Sequence, residues 1–175
     1  MKPTISEWIT VKKSKIHGEG IFAAKNIPKG AKIIEYVGKK LTKKESDERY
    51  EKHQELAKSN PKLVGSVYIF ELNKKFDIDG FVPYNTARLI NHGCKPNCES
   101  DIANDKIWIT ALRDIKKGEE ISYDYGYDLE SWEEHPCKCG SANCVGYIVD
   151  SEHWGKLKKM IRAKRELSNN LQLHA

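Results

Sequence analysis
The sequence predicts a mainly β, β-rich α+β domain, and three observations carry that expectation. Short runs of β-branched and aromatic residues recur along the chain, most of them bounded by Gly- or Lys-containing turns. One internal stretch, residues 43–56, reads as a helix and is too charged to be core. A second helical pattern, with Trp154, Leu157, Met160 and Ile161 at helical spacing, lies near the C-terminus. With 175 residues there is room for one domain. A chain of that size can bury roughly two thirds of the surface its unfolded form exposes.

Taken in order, residues 8–11 form a first short strand. A turn at His17-Gly18-Glu19-Gly20 leads into residues 21–23, and residues 32–37 form the next strand, ended by Gly38. Thr42 is placed to cap a helix from 43 to about 56, with Glu45 at capping-box spacing. Asn60-Pro61 breaks that helix. Residues 67–72 and 76–79 read as strands about an Asn73-Lys74-Lys75 turn, residues 84–90 as one or two helical turns, and residues 106–112 and 120–124 as strands. A basic helix is expected from about 152 to 166, with Ser151 as its cap, then a frayed polar tail over 168–175. A faint echo aligns residues 21–38 with 109–126 without gaps: Ile21/Ile109, Ala23/Ala111, Ile27/Ile115, Lys29/Lys117, Gly30/Gly118, Ile33/Ile121 and Gly38/Gly126. It reads as two similar hairpins or as coincidence between common turns, and two copies are too few for a solenoid.

The net charge of +5 is too mild to argue for nucleic acid by itself. Its distribution is uneven. Residues 119–135 hold seven acids and no Lys or Arg, and residues 155–165 hold six bases and no acid. Charge runs usually are solvated faces, but the acidic one also suits a basic partner. No apolar run nears the ~20 residues that span a bilayer. The first residues lack a secretory h-region, so a soluble intracellular protein is expected.

All five cysteines fall within residues 94–144. An odd count without a secretion signal is a poor disulfide framework. Cys137, Cys139 and Cys144, two and five residues apart about a Gly-containing turn, read as a metal knuckle. A structural zinc wants four ligands. The fourth is open among Cys94, Cys98, His135 and His92.

Four segments occur in order: His17-Gly18-Glu19-Gly20-Ile21-Phe22, the string Arg88-Leu89-Ile90-Asn91-His92-Gly93-Cys94-Lys95-Pro96-Asn97-Cys98, the stretch from Gly118 to Gly126, and residues 137–147. Together they resemble the SET-domain lysine methyltransferases with a post-SET zinc segment, over about residues 9–147. The resemblance implies several small sheets, a pseudoknot-like C-terminal crossing, a zinc knuckle and a C-terminal helix. It divides the chain into a SET domain over 9–128 (charged insertion at about 43–62), a post-SET segment over 129–150, and a basic helix and tail over 151–175. It implies S-adenosyl-L-methionine-dependent methylation of a lysine ε-amine. The catalytic tyrosine falls at Tyr125, a channel-lining tyrosine at Tyr36, and the Phe-or-Tyr position that sets methylation state at Tyr123, which implies mono- or dimethylation. Asn91 and His92 fall on the cofactor-contacting pair. Cys94 becomes the fourth ligand of one structural zinc with Cys137, Cys139 and Cys144, and Cys98 is left a buried thiol.

The residues suit that chemistry. A Gly-x-Gly turn lets backbone come close to a small charged ligand, so Gly18 and Gly20, with His17 and Glu19, fit the methionine part of the cofactor. The Asn91 amide can accept from its ammonium. Tyr123, Tyr125 and Tyr127 alternate and would share one side of a strand, as walls for a lysine stem. The acids around them favour a basic protein substrate, a histone tail or a nucleoid protein. The setting is then nucleus and chromatin in a eukaryote or a host, and cytoplasm or nucleoid in a prokaryote. Two other classes are a catalytically silent SET-like binding module and a zinc-dependent nucleic-acid-binding protein. The second would need a basic face beside the knuckle, but residues 119–135 are acidic, so direct nucleic-acid binding is expected to be weak. Neither a membrane contact nor an oligomeric state is indicated.

Overall fold
The computed structural model describes residues 2–60 and 67–172. Pro61, the second half of the expected helix break, lies outside them, as do residues 62 and 173–175. The described chain is mainly β, in four small sheets. β1 (Ile9–Lys13) pairs antiparallel with β2 (Glu19–Ala23). β3 (Lys32–Tyr36), β9 (Lys106–Ala111) and β8 (Cys98–Ala103) form a second sheet in that order. β4 (Lys39–Thr42), β6 (Phe76–Asp79) and β5 (Ile69–Glu71) form a third. β7 (Asn91–His92) and β10 (Ser122–Tyr123) make a two-residue parallel pair. Isoleucines 21, 27, 33, 34, 90, 107, 109, 115 and 121 fill the core between the sheets.

Three strands lie outside the expected ones: β4, β7 and β8. β8 has four exposed residues and no apolar alternation, as befits an edge strand. It forms because Asn104 and Asp105, both at positive φ (54° and 55°), make the two-residue turn that joins it to β9. The expected strand at 120–124 shortens to β10.

Helix α1 (Lys43–Ser59) has the expected capping box. Glu45 N–H donates to Thr42 Oγ1 at 3.3 Å, and Thr42 N–H to the Glu45 carboxylate at 2.8 Å. It lies on the surface, with only Ser46 and Ala57 buried. Lys43 to Asp77 (2.6 Å) and Arg49 to the buried Asp79 tie it to β6. Helix α2 (Trp154–Gln172) follows a 3-10 turn, and its cap is Asp150, whose carboxylate accepts from Glu152 N–H at 2.8 Å, rather than Ser151. The helix runs on through residues expected to fray. Its inner face, Leu157 and Ile161, shares a second small core with Trp132, Val145, Tyr147 and Val149. No helix among the described residues is long and apolar enough to cross a membrane.

The internal echo is a local two-fold. Ile27 and Ile115 exchange backbone hydrogen bonds of 2.8 and 2.9 Å at its centre. Around it the bonds come in matched pairs. Gly30 N–H donates to Ala111 O at 2.8 Å, and Gly118 N–H to Ala23 O at 2.8 Å. Lys29 N–H donates to Asp114 Oδ1 at 2.8 Å, and Lys117 N–H to Asn26 Oδ1 at 2.9 Å. The aligned hairpins are thus partners of each other. Gly30 (φ 80°) and Gly118 (φ 88°) occupy equivalent left-handed positions. Gly30→Ala and Gly118→Ala are each expected to lower stability by about 1–2 kcal/mol, measured by urea unfolding. A neutral effect at one and a loss at the other would break the equivalence.

Candidate active site
One wall of the site is the turn that opens β2. Asn91, in β7, donates through Nδ2 to His17 O (3.3 Å), Glu19 O (3.2 Å) and Glu120 Oε1 (3.0 Å). Three acceptors fix the amide, so its Oδ1 is kept for another donor. Glu120 also accepts from Ser14 Oγ at 2.6 Å. Gly20 must be glycine because a Cβ there would lie 2.5 Å from Glu120 Oε1 and 2.9 Å from Ser14 Cβ. Gly18, at φ 49°, faces open space. His17, Gly18, Glu19, Asn91 and His92 line a cavity of about 320 Å³.

Beside it lies an aromatic passage of about 480 Å³. The two share Tyr36, Tyr68, Tyr123, Tyr125 and His135. The rings of Tyr123, Tyr125 and Tyr127 run in sequence, with centroids 5.0 and 5.6 Å apart, although only Tyr123 lies within a strand. Tyr125 OH donates to Ile90 O at 2.8 Å, and Tyr36 OH to Tyr68 O at 2.9 Å. Among the described residues the Tyr123 hydroxyl has no hydrogen-bond partner. Burial, and then the nearness of other phenols, holds Tyr36, Tyr123 and Tyr127 above the ordinary tyrosine range, and burial raises Tyr125. These four phenols therefore stay neutral at any physiological pH.

His92 packs behind Tyr125. Its Nδ1 accepts from Tyr125 N–H at 3.3 Å, and its Nε2 lies 3.5 Å from Cys94 Sγ. Burial lowers its pKa, with Asp124 opposing, which favours the neutral ring. Cys94, Cys137, Cys139 and Cys144 converge, their sulfurs all within 4.8 Å of one another. The Cys94 and Cys137 sulfurs are 3.7 Å apart. Four sulfurs around one zinc at ~2.3 Å would lie about 3.8 Å apart, so the cluster has the right dimensions. Burial pushes the Cys137 thiol up to about 12 and raises Cys94 further, a balance that a divalent cation reverses. Cys98 stands apart, buried in the main core, its thiol raised to about 12.

The structure thus brings Tyr36, Tyr123 and Tyr125 to one passage, His17 through Gly20 with Asn91 and His92 to the adjoining turn, and the four cysteines to one cluster. Sequence reasoning missed Tyr68 and Phe70. Their alternation in β5 and its approach, like that of Tyr123 and Tyr125, was the available signal. Among the described residues Arg88 Nε and His135 Nδ1 are buried without partners, and both residues line the 320 Å³ cavity. Orphaned buried donors of this kind fit a cavity meant for a polar ligand. The acidic run is not a single field. Glu119 pairs with Arg113 (2.8 Å), Glu133 pairs with Lys164, and Glu120 is held in the turn. Of the run, Asp128 lines the aromatic passage, with Glu71 from β5.

Small sheets, a G-x-G turn locked by Asn91, an aromatic passage and a four-thiol cluster define a SET-type domain. The SET domain family model matches residues 18–126, and the chain belongs to that family. It is similar to histone-lysine N-methyltransferase trithorax of Drosophila virilis, 37% identical over 152 residues and 85% of this chain. It is 39% identical over 143 residues (78% of the chain) to an H3 lysine-4 specific histone-lysine N-methyltransferase of Emericella nidulans. It is 35% identical over 148 residues (79%) to histone-lysine N-methyltransferase 2D of Homo sapiens. These relatives are far longer: the match covers 4%, 11% and 2% of their respective lengths.

Proposed function
We propose that this chain transfers methyl groups from S-adenosyl-L-methionine to the ε-amine of lysine in a basic protein, a histone or histone-like nucleoid protein. The carrying observation is that a polar cavity beside the G-x-G turn and an aromatic passage meet at Tyr36, Tyr68, Tyr123 and Tyr125. The relatives' names support histones as the substrate class and chromatin as the setting. In this reading residues 9–128 are the catalytic core, 129–150 the metal segment and 151–175 an appended helix and tail.

The cofactor supplies an electrophilic methyl group on a sulfonium. The backbone of His17 through Gly20 and the Asn91 Oδ1 would hold its amino-acid end, and the unpartnered Arg88 Nε and His135 Nδ1 are further donors toward it. The incoming amine must be neutral to attack, though its ordinary pKa is near 10.4, about three units above physiological pH. Burial of the amine among the rings of Tyr36, Tyr123 and Tyr125 would favour the neutral form. Tyr125, anchored on the Ile90 carbonyl, orients the amine. Tyr125→Phe is expected to lower kcat at least a hundredfold with cofactor Kd near wild type, since the loss falls in the transition state. Equal turnover by the variant would remove Tyr125 from this role.

The four thiols are read as the site of one structural zinc. Elemental analysis should give about one zinc per chain. Chelation should loosen the segment after Tyr127 while the isoleucine core stays folded. Full activity in metal-free protein would count the metal out.

Mono- or dimethylation is the expected product. The Tyr123 hydroxyl is free to hold a water beside the amine, in the space a methylated amine needs to turn toward the sulfonium. Tyr123→Phe should shift product toward trimethyl-lysine, read by mass spectrometry, with cofactor affinity unchanged. Trimethyl-lysine accumulating from wild type would refute it.

A further inference from the structure
We propose that the cleft between the cysteine knuckle and α2 docks the phosphate backbone of duplex DNA. The proposal extends the reading of a DNA-associated protein substrate, and its test is separable from that reading.

Lys158, Arg162 and Arg165 stand at i, i+4 and i+7 of α2, which sets them on one helix face. That face borders a cleft whose other side is the knuckle from Cys144 to Tyr147. All three side chains are exposed. Arg162 has an exposed partner, Glu166, at 2.9 Å, a weak i,i+4 pair that phosphate can displace. Among the described residues Lys158 and Arg165 have no ion-pair partner. The knuckle side, residues 136–149, holds no acid, and the one acid in the cleft lining is Glu166. The stripe is not merely the average of a basic helix. Lys164, also on the surface, pairs instead with Glu133 and lies 5.8 Å from the Trp132 ring centroid, while the other three face the cleft.

The pattern fits a uniform polyanion. Seven residues of helix rise about 10 Å, and a DNA strand carries a phosphate about every 3.4 Å of axis, so three cations meet about three phosphates. An acidic peptide would want an apolar anchor. Val145, Tyr147 and Ile161 in the cleft wall are instead half-buried against Trp132, Val149 and Leu157. Pro136 lines both this cleft and the cofactor-side cavity, so DNA docked here would lie behind the knuckle, clear of the aromatic passage. A basic tail leaving that DNA could reach Glu71 and Asp128 in the passage.

The test is fluorescence anisotropy of the whole chain with a 20-base-pair duplex between 50 and 200 mM salt. Wild type should weaken steeply with salt, and Lys158→Ala/Arg162→Ala/Arg165→Ala should flatten the log–log slope by about 2.7, roughly a fortyfold difference in salt response over that range. Lys74→Ala/Lys75→Ala/Lys117→Ala removes the same net charge elsewhere and should bind like wild type. Methyl transfer to a free basic peptide reads the proposed activity separately, and it should be unchanged in both variants because none of the substituted residues lines either active-site cavity. DNA binding that is equal in the stripe variant and wild type, or reduced equally by both triple substitutions, overturns the proposal. So does capture of polyglutamate without capture of duplex, which would point to an acidic protein.

Discussion

Everything at the site depends on two residues pairing with two. β7 and β10 supply or flank Asn91, His92, Tyr123 and Tyr125, yet a two-residue parallel ladder has almost no stability of its own. The lock is Asn97, 4% exposed, whose side chain stands in for missing backbone partners. Its Oδ1 accepts from Ser122 N–H at 2.9 Å and its Nδ2 donates to Glu120 O at 2.8 Å. Gly93 N–H adds a bond to Tyr123 O at 3.2 Å. The β7–β10 pair is therefore held by the side chain of the loop residue Asn97 as well as by its own ladder. Ile121, fully buried, fixes β10 from the core side.

That loop also carries Cys94, so the lock and the thiol cluster are one assembly. His92 bridges from the Tyr125 backbone to the Cys94 sulfur, and Asn143 Nδ2 donates to Cys94 O at 3.1 Å. Asp150 N–H returns to Tyr127 O at 2.8 Å. The segment beyond Tyr127 is thereby tied at both ends to the aromatic passage, and its small core passes the tie on to α2. Loosening the cluster should be felt first at His92 and Tyr125, and only weakly in the sheets across the two-fold.

What was legible in the sequence was local chemistry. The capping box at Thr42 and Glu45, the Asn73 turn, the cysteine spacing and the tyrosine alternation each involve residues a few positions apart, and each formed. What was not legible required partners far along the chain. The echo was visible, but that its copies bond to each other through Ile27 and Ile115 was not. Orphaned atoms such as Arg88 Nε are meaningless until burial is known. β8 escaped because an edge strand needs no apolar face, although Asn104-Asp105 marked its turn. The acidic run misled most, since Arg113 and Lys164 claim two of its members from outside it.

Dispersing those acids has a chemical consequence. A carboxylate beside the reacting nitrogen would stabilise the ammonium and oppose the deprotonation that methyl transfer requires. A carboxylate at the entrance would instead attract a basic tail from a distance at no such cost. Here Glu119 and Glu133 face surface cations, and Glu120 serves the G-x-G turn. Where the two cavities meet, the shared walls are Val67, the rings of Tyr36, Tyr68, Tyr123 and Tyr125, and His135, whose pKa burial lowers. Glu71 and Asp128 belong to the aromatic passage and not to the cofactor-side cavity. Attraction and desolvation are thus assigned to different groups, which is how one passage can draw in a cationic side chain and still favour its neutral form at the point of attack.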